Sequence, residues 1–461
     1  MNNNYDAIII GFGKGGKTLA GAMERQGWKV AMIEQSDKMY GGTCINIACI
    51  PSKSLAYQSK YAAFMNPNSF EDQNAYYTQA ISEKNELVSF LRSKNYHNLS
   101  DKEGITVFTG KASFISSHEI KVAMKEETVK LTAERIFINT GATPIVPNIQ
   151  GIHASKYVYN STTLMDLMEL PKHLVIIGGG YIGLEFASMY ANYGSDVTVL
   201  DGAEAFLKRE DRDIAKEVLK TLEGKGIRYI SGAQVQTVQD KKPDGTRVIY
   251  LRSGADQPET IEADAILLAT GRKPNTEELN LAHAGVAVNE KGAIQVDEHL
   301  KTNIPHIWAI GDVKGGPQFT YVSLDDYRII KDQLFGAGKR STKDRVNIPY
   351  SVFIDPPLSR VGLSEDEARE QGYETKIAKM PVAASPRARL MKETQGVLKA
   401  VVDAKTDQIL GCTLFCTESS EIINIVQIAM QTGQSYTFLR DQIFTHPTMS
   451  EVFNDLFGQM E

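Results

Sequence analysis

The beginning of the chain shows apolar and polar positions in the order of a strand, a turn and a helix. An apolar run at 7–10 leads into the glycine-rich segment GFGKGG at 11–16, and helix-forming residues follow at 18–23. A second apolar run at 29–34 ends in an acidic residue, Glu34. The pattern predicts a βαβ unit with a tight glycine turn after its first strand.

The same pattern returns later in the chain. An apolar run at 174–177 precedes GGGYIG at 178–183, a helical pattern spans 184–193, and a strand pattern at 196–200 is followed by Asp201. The sequence therefore predicts a second βαβ unit of the same kind.

The pattern changes after about residue 346, where short strand patterns at 397–402 and 410–415 precede a helical pattern at 421–431. That order is typical of an α+β domain. Segments rich in proline and glycine at 147–151 and 271–275 mark breaks. We expect an α/β protein with two Rossmann-like dinucleotide-binding domains and a C-terminal α+β domain. The expected boundaries are 1–150, 151–270, 271–346 and 347–461.

Composition and charge exclude several classes of protein. Of the 461 residues, 42% are hydrophobic, and the net charge of -6 offers no basic surface of the kind that nucleic acid requires. No apolar run reaches the roughly 18 to 20 residues that span a bilayer. The strand pattern begins at Tyr5, directly after three asparagines at 2–4, without the order of a signal peptide. We expect a soluble, cytoplasmic protein without nucleic-acid or membrane partners.

The four cysteines are too few for a disulfide scaffold in a chain of this length. Cys44 and Cys49 lie in GGTCINIACIPSK at 41–53, and at the start of a distorted helix this spacing allows a reversible disulfide. The exposed N–H groups at a helix amino terminus stabilise a thiolate. No second cysteine or histidine pair lies nearby, so we expect no metal site. Cys412 and Cys416 lie in an apolar stretch, which favours buried structural thiols over a second redox or copper site.

The glycines and acidic residues of the two βαβ units are candidate dinucleotide ligands. In a Gly-x-Gly-x-x-Gly turn, the first glycine permits the turn, the second admits a pyrophosphate and the third lets the helix pack on the strand. An acid after the second strand holds ribose hydroxyls. The candidates are Gly11, Gly13, Gly16 and Glu34 in the first unit, and Gly178, Gly180, Gly183 and Asp201 in the second.

Asp201 also bears on the choice of nicotinamide cofactor. A carboxylate at this position repels a 2′-phosphate, so Asp201 favours NADH over NADPH. Lys208 and Arg209 leave NADPH open, since a basic residue accommodates that phosphate, although a solvated charged stretch is the simpler interpretation of the two.

Together, these segments resemble the pyridine nucleotide-disulfide oxidoreductases of the lipoamide dehydrogenase, glutathione reductase and mercuric reductase group. The resemblance covers the whole chain. Besides the cysteine segment it includes TGATP at 140–144, ATGRKPN at 269–275, AIGD at 309–312, and HPT at 446–448 with Glu451. It implies a glutathione reductase-like fold with FAD-binding segments at 1–150 and 271–346, an NAD(P)H-binding domain at 151–270 and a dimerisation domain at 347–461.

The resemblance also implies roles for the residues of the redox centre. Cys44 is expected to meet the substrate, and Cys49 is expected to lie against the flavin. His446, oriented by Glu451, is expected to act as the acid and base for Cys44. In this family the histidine comes from the other subunit, so the resemblance implies a homodimer with a shared active site.

Other implied roles concern the two cofactors, FAD and NAD(P)H. Lys53 is expected near the flavin, paired with Glu185, while Tyr181 covers the nicotinamide pocket and Asp312 holds the ribityl chain. The remaining implied ligands are Gly42, Thr43, Thr140, Gly141 and Gly311 for FAD, and Gly271 and Arg272 for NAD(P)H.

A closer similarity is to the bacterial reactive-chlorine-resistance flavoproteins. It rests on GFGKGGKT at 11–18, FTYVSLDDY at 319–327, PYSVF at 349–353 and RDQIFTHP at 440–447. This similarity implies an FAD-dependent NAD(P)H oxidoreductase that defends against oxidants. Its expected substrate is a small molecule, hypothiocyanous acid, with copper(II) reduction as an associated activity.

Three alternatives stay open at this point. A dihydrolipoamide dehydrogenase has the same core motifs, but it usually carries a second histidine where this chain has Phe444. A metal-binding redox protein would bind copper or mercury through the dithiol and turn over only incidentally. A purely structural flavoprotein is difficult to reconcile with the cysteine pair and ranks last. Mercuric reductase proper is not expected, because its carboxy-terminal cysteine pair is lacking.

Overall fold

In the computed structural model, the described residues are 3–67, 69–241 and 243–460, and they form two compact units. The first unit comprises Met1–Ser54, Gln79–Ile145 and Gly271–Arg345. The second comprises Leu55–Thr78, Val146–Thr270 and Val346–Glu461.

A seven-stranded sheet forms the centre of the first unit. Six strands follow one another in the order Ile105–Thr109, Val30–Glu34, Asn4–Ile10, Thr128–Ile138, Glu119–Ala123 and Lys111–Phe114, and Ile307–Ala309 pairs with Thr128–Ile138. The strand Asn4–Ile10 is parallel to both of its neighbours, with Ile10 opposite Ile33 and Ile138. The carboxyl ends of these strands therefore meet at one edge, where ligands of such sheets bind.

The continuous apolar run of the first strand is explained by burial on both faces. Ile8 and Ile10 pack into one core layer with Phe114, while Ala7 and Ile9 pack into another with Leu19. A strand covered on both sides has no polar face, so its sequence does not alternate. The remaining strands and helices of this unit are Lys14–Glu24, Thr43–Asn46, Ala142–Pro144, Arg272–Pro274, Leu281–Ala284 and Thr320–Phe335.

The second unit contains a parallel sheet of five strands. Their order is Arg228–Ile230, Asp196–Leu200, His173–Ile177, Ala265–Leu268 and Val158–Asn160. The central strand places Ile177 opposite Leu200 and Leu268, which again brings the strand ends together. The helices of this segment are Ser161–Leu164, Tyr181–Tyr193 and Arg212–Gly224.

Two antiparallel sheets complete the second unit. One is a three-stranded sheet of Ala233–Asp240, Thr246–Arg252 and Glu259–Ala263, which the sequence patterns did not predict. The other has the order Tyr350–Val352, Leu358–Gly362, Ile409–Phe415, Val397–Asp403 and Thr375–Pro381. Its helices are Glu365–Glu370, Pro386–Met391, Ser419–Gln431, Tyr436–Arg440 and Val452–Gly458. The α/β fold class, with an α+β segment at the carboxyl end, is confirmed.

Residues 55–78 pack with the second unit although they lie within the first expected segment, 1–150. Buried tyrosine hydroxyls hold them there. The hydroxyls of Tyr77 and Tyr190 are 3.0 Å apart, and the hydroxyl of Tyr193 donates to the carbonyl of Leu55 at 2.9 Å. The helices Cys49–Met65 and Phe70–Ser100 therefore contribute residues to both units.

Within the described residues, no helix combines the length and apolarity needed to cross a membrane.

Candidate active site

The two cysteines of the redox segment lie on successive helices, not on the single distorted helix that was expected. Cys44 belongs to the short helix Thr43–Asn46, and Cys49 is the first residue of Cys49–Met65. Gly42 precedes them with φ 76°, and a Cβ there would lie 2.6 Å from the Cα of Gly13. Only glycine fits this close approach, which seats the cysteine segment on the first glycine turn.

Cys44 and Cys49 are both reduced and both partly buried. A hydrogen bond from the Cys44 thiol lowers the pKa of Cys49 to about 6, and the Thr320 hydroxyl, 3.4 Å away, and the charge of Lys53 act in the same direction. The same hydrogen bond, with burial, raises the pKa of Cys44. At neutral pH, Cys49 is therefore the thiolate and Cys44 keeps the proton.

Lys17 is a cation on the Cys44 side of the pair. Its ammonium donates to the carbonyl of Gly41 at 3.3 Å and to the amide oxygen of Asn95. Burial, with Lys14 adding to it, lowers the pKa of Lys17 to about 8, so the group stays charged at neutral pH. Its charge favours a thiolate at Cys44, against the dominant effect of Cys49.

Glu34 closes the first glycine turn as expected for a ribose ligand. The carboxylate is buried and accepts a hydrogen bond from the N–H of Phe12 at 3.0 Å. Burial raises the pKa of Glu34 to about 7, although three backbone N–H groups act against it. A carboxylate with this hydrogen bond, at the carboxyl edge of the sheet, fits the hydroxyl groups of an adenosine ribose.

Asn139 ties the glycine turn to a second loop. Its amide oxygen accepts from the N–H of Gly16 at 2.9 Å, and its amide nitrogen donates to the carbonyl of Ile310 at 2.8 Å. A Cβ on Gly13 would lie 2.6 Å from the Asn139 oxygen. The second glycine of this turn therefore makes room for Asn139, a reason that the motif alone did not indicate.

The loops after Thr128–Ile138 and Ile307–Ala309 carry the remaining expected flavin ligands. The hydroxyl of Thr140 donates to the carbonyl of Asn275 at 2.7 Å, and a Cβ on Gly141 would lie 3.8 Å from the hydroxyl of Thr43. The N–H of Gly311, at φ 72°, donates to the buried Asp326 at 2.7 Å. These contacts bring residues from distant parts of the sequence to one edge of the sheet.

Asp312 and Arg272 influence each other across this edge. Burial raises the pKa of Asp312, and the positive charge of Arg272 opposes that rise. Gly271 and Arg272 lie in the first unit, whereas the other expected NAD(P)H ligands lie in the second. Their assignment to the nicotinamide cofactor stays a prediction.

The second glycine turn lines a cavity of about 420 Å³, to which Gly178, Gly180 and Asp201 contribute. At Gly180 a Cβ would have no neighbour within 4 Å, so this glycine keeps the cavity side of the turn open. Gly183 instead packs against the carbonyl of Gly178, which lets the helix Tyr181–Tyr193 approach the strand. These are the roles expected for the second and third glycines of a dinucleotide turn.

Asp201 lies in this cavity, and the hydroxyl of Tyr229 orients its carboxylate through a hydrogen bond of 2.5 Å. Lys208 and Arg209 line a different cavity, of about 350 Å³, together with Glu367. The structure therefore places the acid, and not these two basic side chains, among the residues that line the cavity beside the second glycine turn.

Tyr181 and Glu185 lie in the first two turns of the helix that follows this glycine turn. The hydroxyl of Tyr181 donates to Glu210 at 2.7 Å, and Glu185 accepts from the N–H of Phe353 at 2.9 Å. Lys53 belongs to the first unit and Glu185 to the second, so the pairing of the two stays a prediction.

His446 is oriented by Glu451, as expected. The Nδ1 atom of His446 is 2.7 Å from one carboxylate oxygen of Glu451, and the N–H of Thr448 donates to the other at 3.2 Å. The histidine side chain is 70% exposed and Glu451 only 17%. This geometry directs the proton exchange of His446 to Nε2.

Several contacts of the site escaped the sequence analysis, namely those of Thr320, Lys17, Asn139 and Glu210. Thr320 and Lys17 lie in segments that carried the closer resemblance, so that resemblance was the available signal. Glu210 follows directly on Lys208 and Arg209, but nothing local distinguishes it from a surface acid.

The two other cysteines lie inside the antiparallel part of the second unit. Cys412 and Cys416 are at most 1% exposed, and burial raises the pKa of both, which agrees with buried thiols. In the described part of the chain, no group of three or more histidine, cysteine or acidic side chains is arranged to hold a metal ion.

Comparison with known proteins extends this picture. The family model for pyridine nucleotide-disulphide oxidoreductases matches residues 5–326, and the model for their dimerisation domain matches 348–457. The chain is 52% identical over 456 residues to the probable pyridine nucleotide-disulfide oxidoreductase RclA of Escherichia coli K12, covering 99% of each protein. It is 35% identical to a mercuric reductase of Staphylococcus aureus over 98% of this chain and 81% of that protein.

A solved structure is also similar to this chain in both fold and sequence. The Cu(II) complex of the HOCl-induced flavoprotein disulfide reductase RclA from Escherichia coli aligns over 100% of both chains with a TM-score of 0.93 and 52% identity. Because the two family models cover most of the chain and these relatives align over nearly all of it, the chain belongs to the pyridine nucleotide-disulphide oxidoreductases, a family of flavin- and NAD(P)H-dependent enzymes.

Proposed function

We propose that this enzyme uses FAD and NADH to reduce hypothiocyanous acid, and so protects the cell against oxidants. The proposal rests above all on the proton shared by Cys44 and Cys49. Cys44 can meet a small electrophile once a base takes its proton, and the neighbouring Cys49 thiolate, of pKa about 6, can then resolve the product. The similarity to an HOCl-induced reductase supports the defensive role.

The residues of the first unit fit FAD. Glu34 is placed for the adenosine ribose, the turn at 11–16 for the pyrophosphate, and Asp312 for the ribityl chain. The burial of Glu34 and Asp312 suits them to accept hydrogen bonds from sugar-like hydroxyl groups. The flavin supplies the transfer of two electrons from the nicotinamide cofactor to the disulfide.

NADH is the proposed nicotinamide cofactor. Asp201 lines the dinucleotide cavity in a fixed orientation, where its charge repels a 2′-phosphate. Lys208 and Arg209 line another cavity, which removes the main argument for NADPH.

In the proposed reaction, the two thiols are oxidised to a disulfide by the substrate and then reduced again. His446 takes the proton of the Cys44 thiol, and the sulfur of Cys44 bonds to the sulfur of hypothiocyanous acid. Hydroxide leaves and takes that proton from His446 to form water. The Cys49 thiolate then attacks Cys44, so that a disulfide forms and thiocyanate leaves. The oxidation of NADH to NAD⁺ releases two electrons and one proton. These reduce the disulfide to the Cys44 thiol and the Cys49 thiolate. The net products are thiocyanate, water and NAD⁺.

His446 and the partner subunit complete the proposed site. We assign His446, held by Glu451, to proton exchange with Cys44 across a homodimer interface. A dimerisation domain is present at 348–457. The exposed apolar side chains of Ile443 and Phe438, at 92% and 44% exposure, suit a face that a second copy covers.

A panel of electron acceptors tests the proposal. The purified protein is given NADH or NADPH with hypothiocyanous acid, lipoamide, glutathione disulfide or copper(II), and oxidation of the cofactor is followed. We expect turnover to be fastest with NADH and hypothiocyanous acid. It should be lost in Cys44→Ser and retained in Cys412→Ala, which alters a buried thiol elsewhere.

The other outcomes are equally informative. A preference for lipoamide would make the protein a dihydrolipoamide dehydrogenase. Tight copper(II) binding with slow NADH oxidation would indicate a metal-binding redox protein. Either result would reject the proposed substrate.

A further inference from the structure

Two tyrosines of the second unit share one carboxylate oxygen. The hydroxyl of Tyr181 donates to Oε1 of Glu210 at 2.7 Å, and the hydroxyl of Tyr350 donates to the same atom at 2.5 Å. The two hydroxyls are 3.4 Å apart, and the rings stack with their centroids at 5.6 Å. The charge of Glu210, adding to burial, raises the pKa of both tyrosines, so both remain donors.

The carboxylate at the centre of this cluster has no access to solvent. The Glu210 side chain is 0% exposed, and its Oε2 atom lies 3.7 Å from the guanidinium of Arg360. In the described part of the chain, Oε2 accepts no hydrogen bond. Burial of a carboxylate costs free energy unless hydrogen bonds compensate for the lost water. The two tyrosine hydroxyls supply that compensation for Glu210.

The two tyrosines differ in how they are held. Tyr350 lies on the edge strand Tyr350–Val352, directly opposite Arg360 in the ladder. Tyr181 is the first residue of its helix, immediately after Gly180, which lines the dinucleotide cavity. The backbone of Tyr350 is therefore held in a hydrogen-bonded strand pair, whereas Tyr181 lies at the end of a helix where the cofactor is expected to bind.

We propose that Glu210 and Tyr350 are positioning residues that set how readily the Tyr181 side chain moves aside for the nicotinamide cofactor. This inference rests on the proposed function and on the role that the family resemblance implies for Tyr181, which is to cover the nicotinamide pocket. Glu210 holds Tyr181 in the covering position. Tyr350 keeps the carboxylate hydrogen-bonded when Tyr181 leaves, and so lowers the cost of opening.

The two tyrosines then have opposite effects on cofactor binding. Without the Tyr181 hydroxyl, the covering position loses its bond to Glu210 and opening becomes easier. Without the Tyr350 hydroxyl, opening would strip Oε1 of its last donor, so the covered state is favoured. Apparent affinity follows the fraction of the open state, so each change appears directly in the binding constant.

Single hydroxyl deletions test this. We expect Tyr181→Phe to bind NADH and NAD⁺ about 3- to 10-fold more tightly, and Tyr350→Phe to bind them more weakly by a similar factor. The dissociation constants are measured by titration with NAD⁺ and from the NADH dependence of flavin reduction. Tyr250→Phe is the matched control, since it also removes a hydrogen bond of 2.7 Å to a carboxylate, that of Glu259.

The double variant Tyr181→Phe with Tyr350→Phe distinguishes the proposal from simple loss of packing. Once Tyr181 has lost its hydroxyl, deletion of the Tyr350 hydroxyl should no longer weaken binding. Effects of the same sign in both single variants, or constants equal to those of the control, would overturn the proposal. A lower thermal midpoint without opposite signs would also count against it.

These measurements need no electron acceptor. If the two single variants change cofactor affinity in opposite directions but the enzyme does not turn over hypothiocyanous acid, the proposed oxidant is rejected and the role of Glu210 and Tyr350 is kept. If the dissociation constants of the variants equal those of the control while hypothiocyanous acid is still turned over, only the role of Glu210 and Tyr350 is rejected.

Discussion

At the scale of single residues, the two cysteines of one short segment have different protonation states. Cys49 receives hydrogen bonds from the Cys44 thiol and the Thr320 hydroxyl, and both stabilise its thiolate. The hydrogen bond between the two thiols, followed by burial and by the charge of Cys49, raises the pKa of Cys44. The division of labour between the thiols thus arises from their neighbours, since the side chains are chemically identical.

Removal of the Cys44 thiol should therefore change the titration of Cys49. In Cys44→Ala the leading cause of the lowered pKa disappears while burial remains, so the pKa of Cys49 should rise from about 6 by at least about one unit. The ultraviolet absorbance of the thiolate in the reduced protein, followed against pH, measures this. Cys416→Ala should leave the midpoint near 6, and an unmoved midpoint in Cys44→Ala would show that Thr320 and Lys53 suffice.

Glu34 should make FAD binding depend on pH. Its pKa of about 7 means that the carboxyl is largely protonated in mildly acidic solution, whereas two ribose hydroxyls donate best to a carboxylate. Binding then releases a proton, so the dissociation constant for FAD should fall as the pH rises towards about 7 and then level off.

The variant Glu34→Gln provides the control for this pH dependence, because its amide does not titrate. We expect weaker FAD binding in this variant, with a dissociation constant that stays nearly constant over the same pH range. Flavin fluorescence quenching reports binding. An equal pH dependence in both proteins would assign the proton to another group.

At the scale of strands, helices and loops, the two glycine turns differ in what surrounds their second glycine. The turn at 178–183 is open at Gly180, while the turn at 11–16 has Asn139 against Gly13. Asn139 also satisfies one buried N–H, that of Gly16 in the helix Lys14–Glu24, and one buried C=O, that of Ile310 in a separate loop. We infer that this side chain fixes the distance between the first glycine turn and the loop after Ile307–Ala309, the two segments that we propose for flavin binding.

Asn139→Ala should therefore lower the free energy of unfolding more than the same substitution of an exposed asparagine that makes two similar hydrogen bonds. Two buried polar groups lose their partners, and we expect about 2 to 4 kcal/mol less stability together with weaker FAD binding. Asn303→Ala is the matched control, since Asn303 bonds Ala287 and Gly285 at an exposed position and should cost under about 1 kcal/mol. Urea denaturation with FAD titration measures both, and equal losses would argue against a special role for Asn139.

Strands and helices with strong local patterns were predicted well. The strand expected at 196–200 is Asp196–Leu200, and the helix expected at 421–431 is Ser419–Gln431. The helix expected at 184–193 begins earlier, at Tyr181, because the glycine turn already supplies its first backbone bonds. The sheet from Ala233 to Ala263 was not predicted, since its strands alternate less regularly and one carries a bulge between Val235 and Thr237.

At the scale of the whole molecule, the shared active site of the homodimer is the main proposal that remains to be tested. Cys44→Ser and His446→Ala each place one defect in every site of their own homodimers. When the two chains are mixed, half of the dimers are mixed dimers. If Cys44 and His446 of one site come from different chains, each mixed dimer has one intact site, and activity should recover to about a quarter of wild type.

The same experiment has a clear negative outcome. If both residues of a site came from a single chain, each site of a mixed dimer would keep one defect and no activity would return. A mixture of Cys44→Ser with Cys49→Ser serves as the control, because both defects affect the same thiol pair and no intact site forms by exchange of His446.

Local sequence patterns predicted the two βαβ units, a cysteine pair with the spacing of a reversible disulfide and the acids after the glycine turns, while the resemblance to a known family predicted the pairing of His446 with Glu451. These features depend on residues close together along the chain, where spacing and hydrophobic pattern are informative. Tertiary structure alone brought the Thr320 hydroxyl to Cys49 from 271 positions away, where it helps to lower the pKa of that thiol. It likewise decided that Glu210 binds Tyr350, 140 positions distant, since such contacts arise only when separate strands and helices pack together.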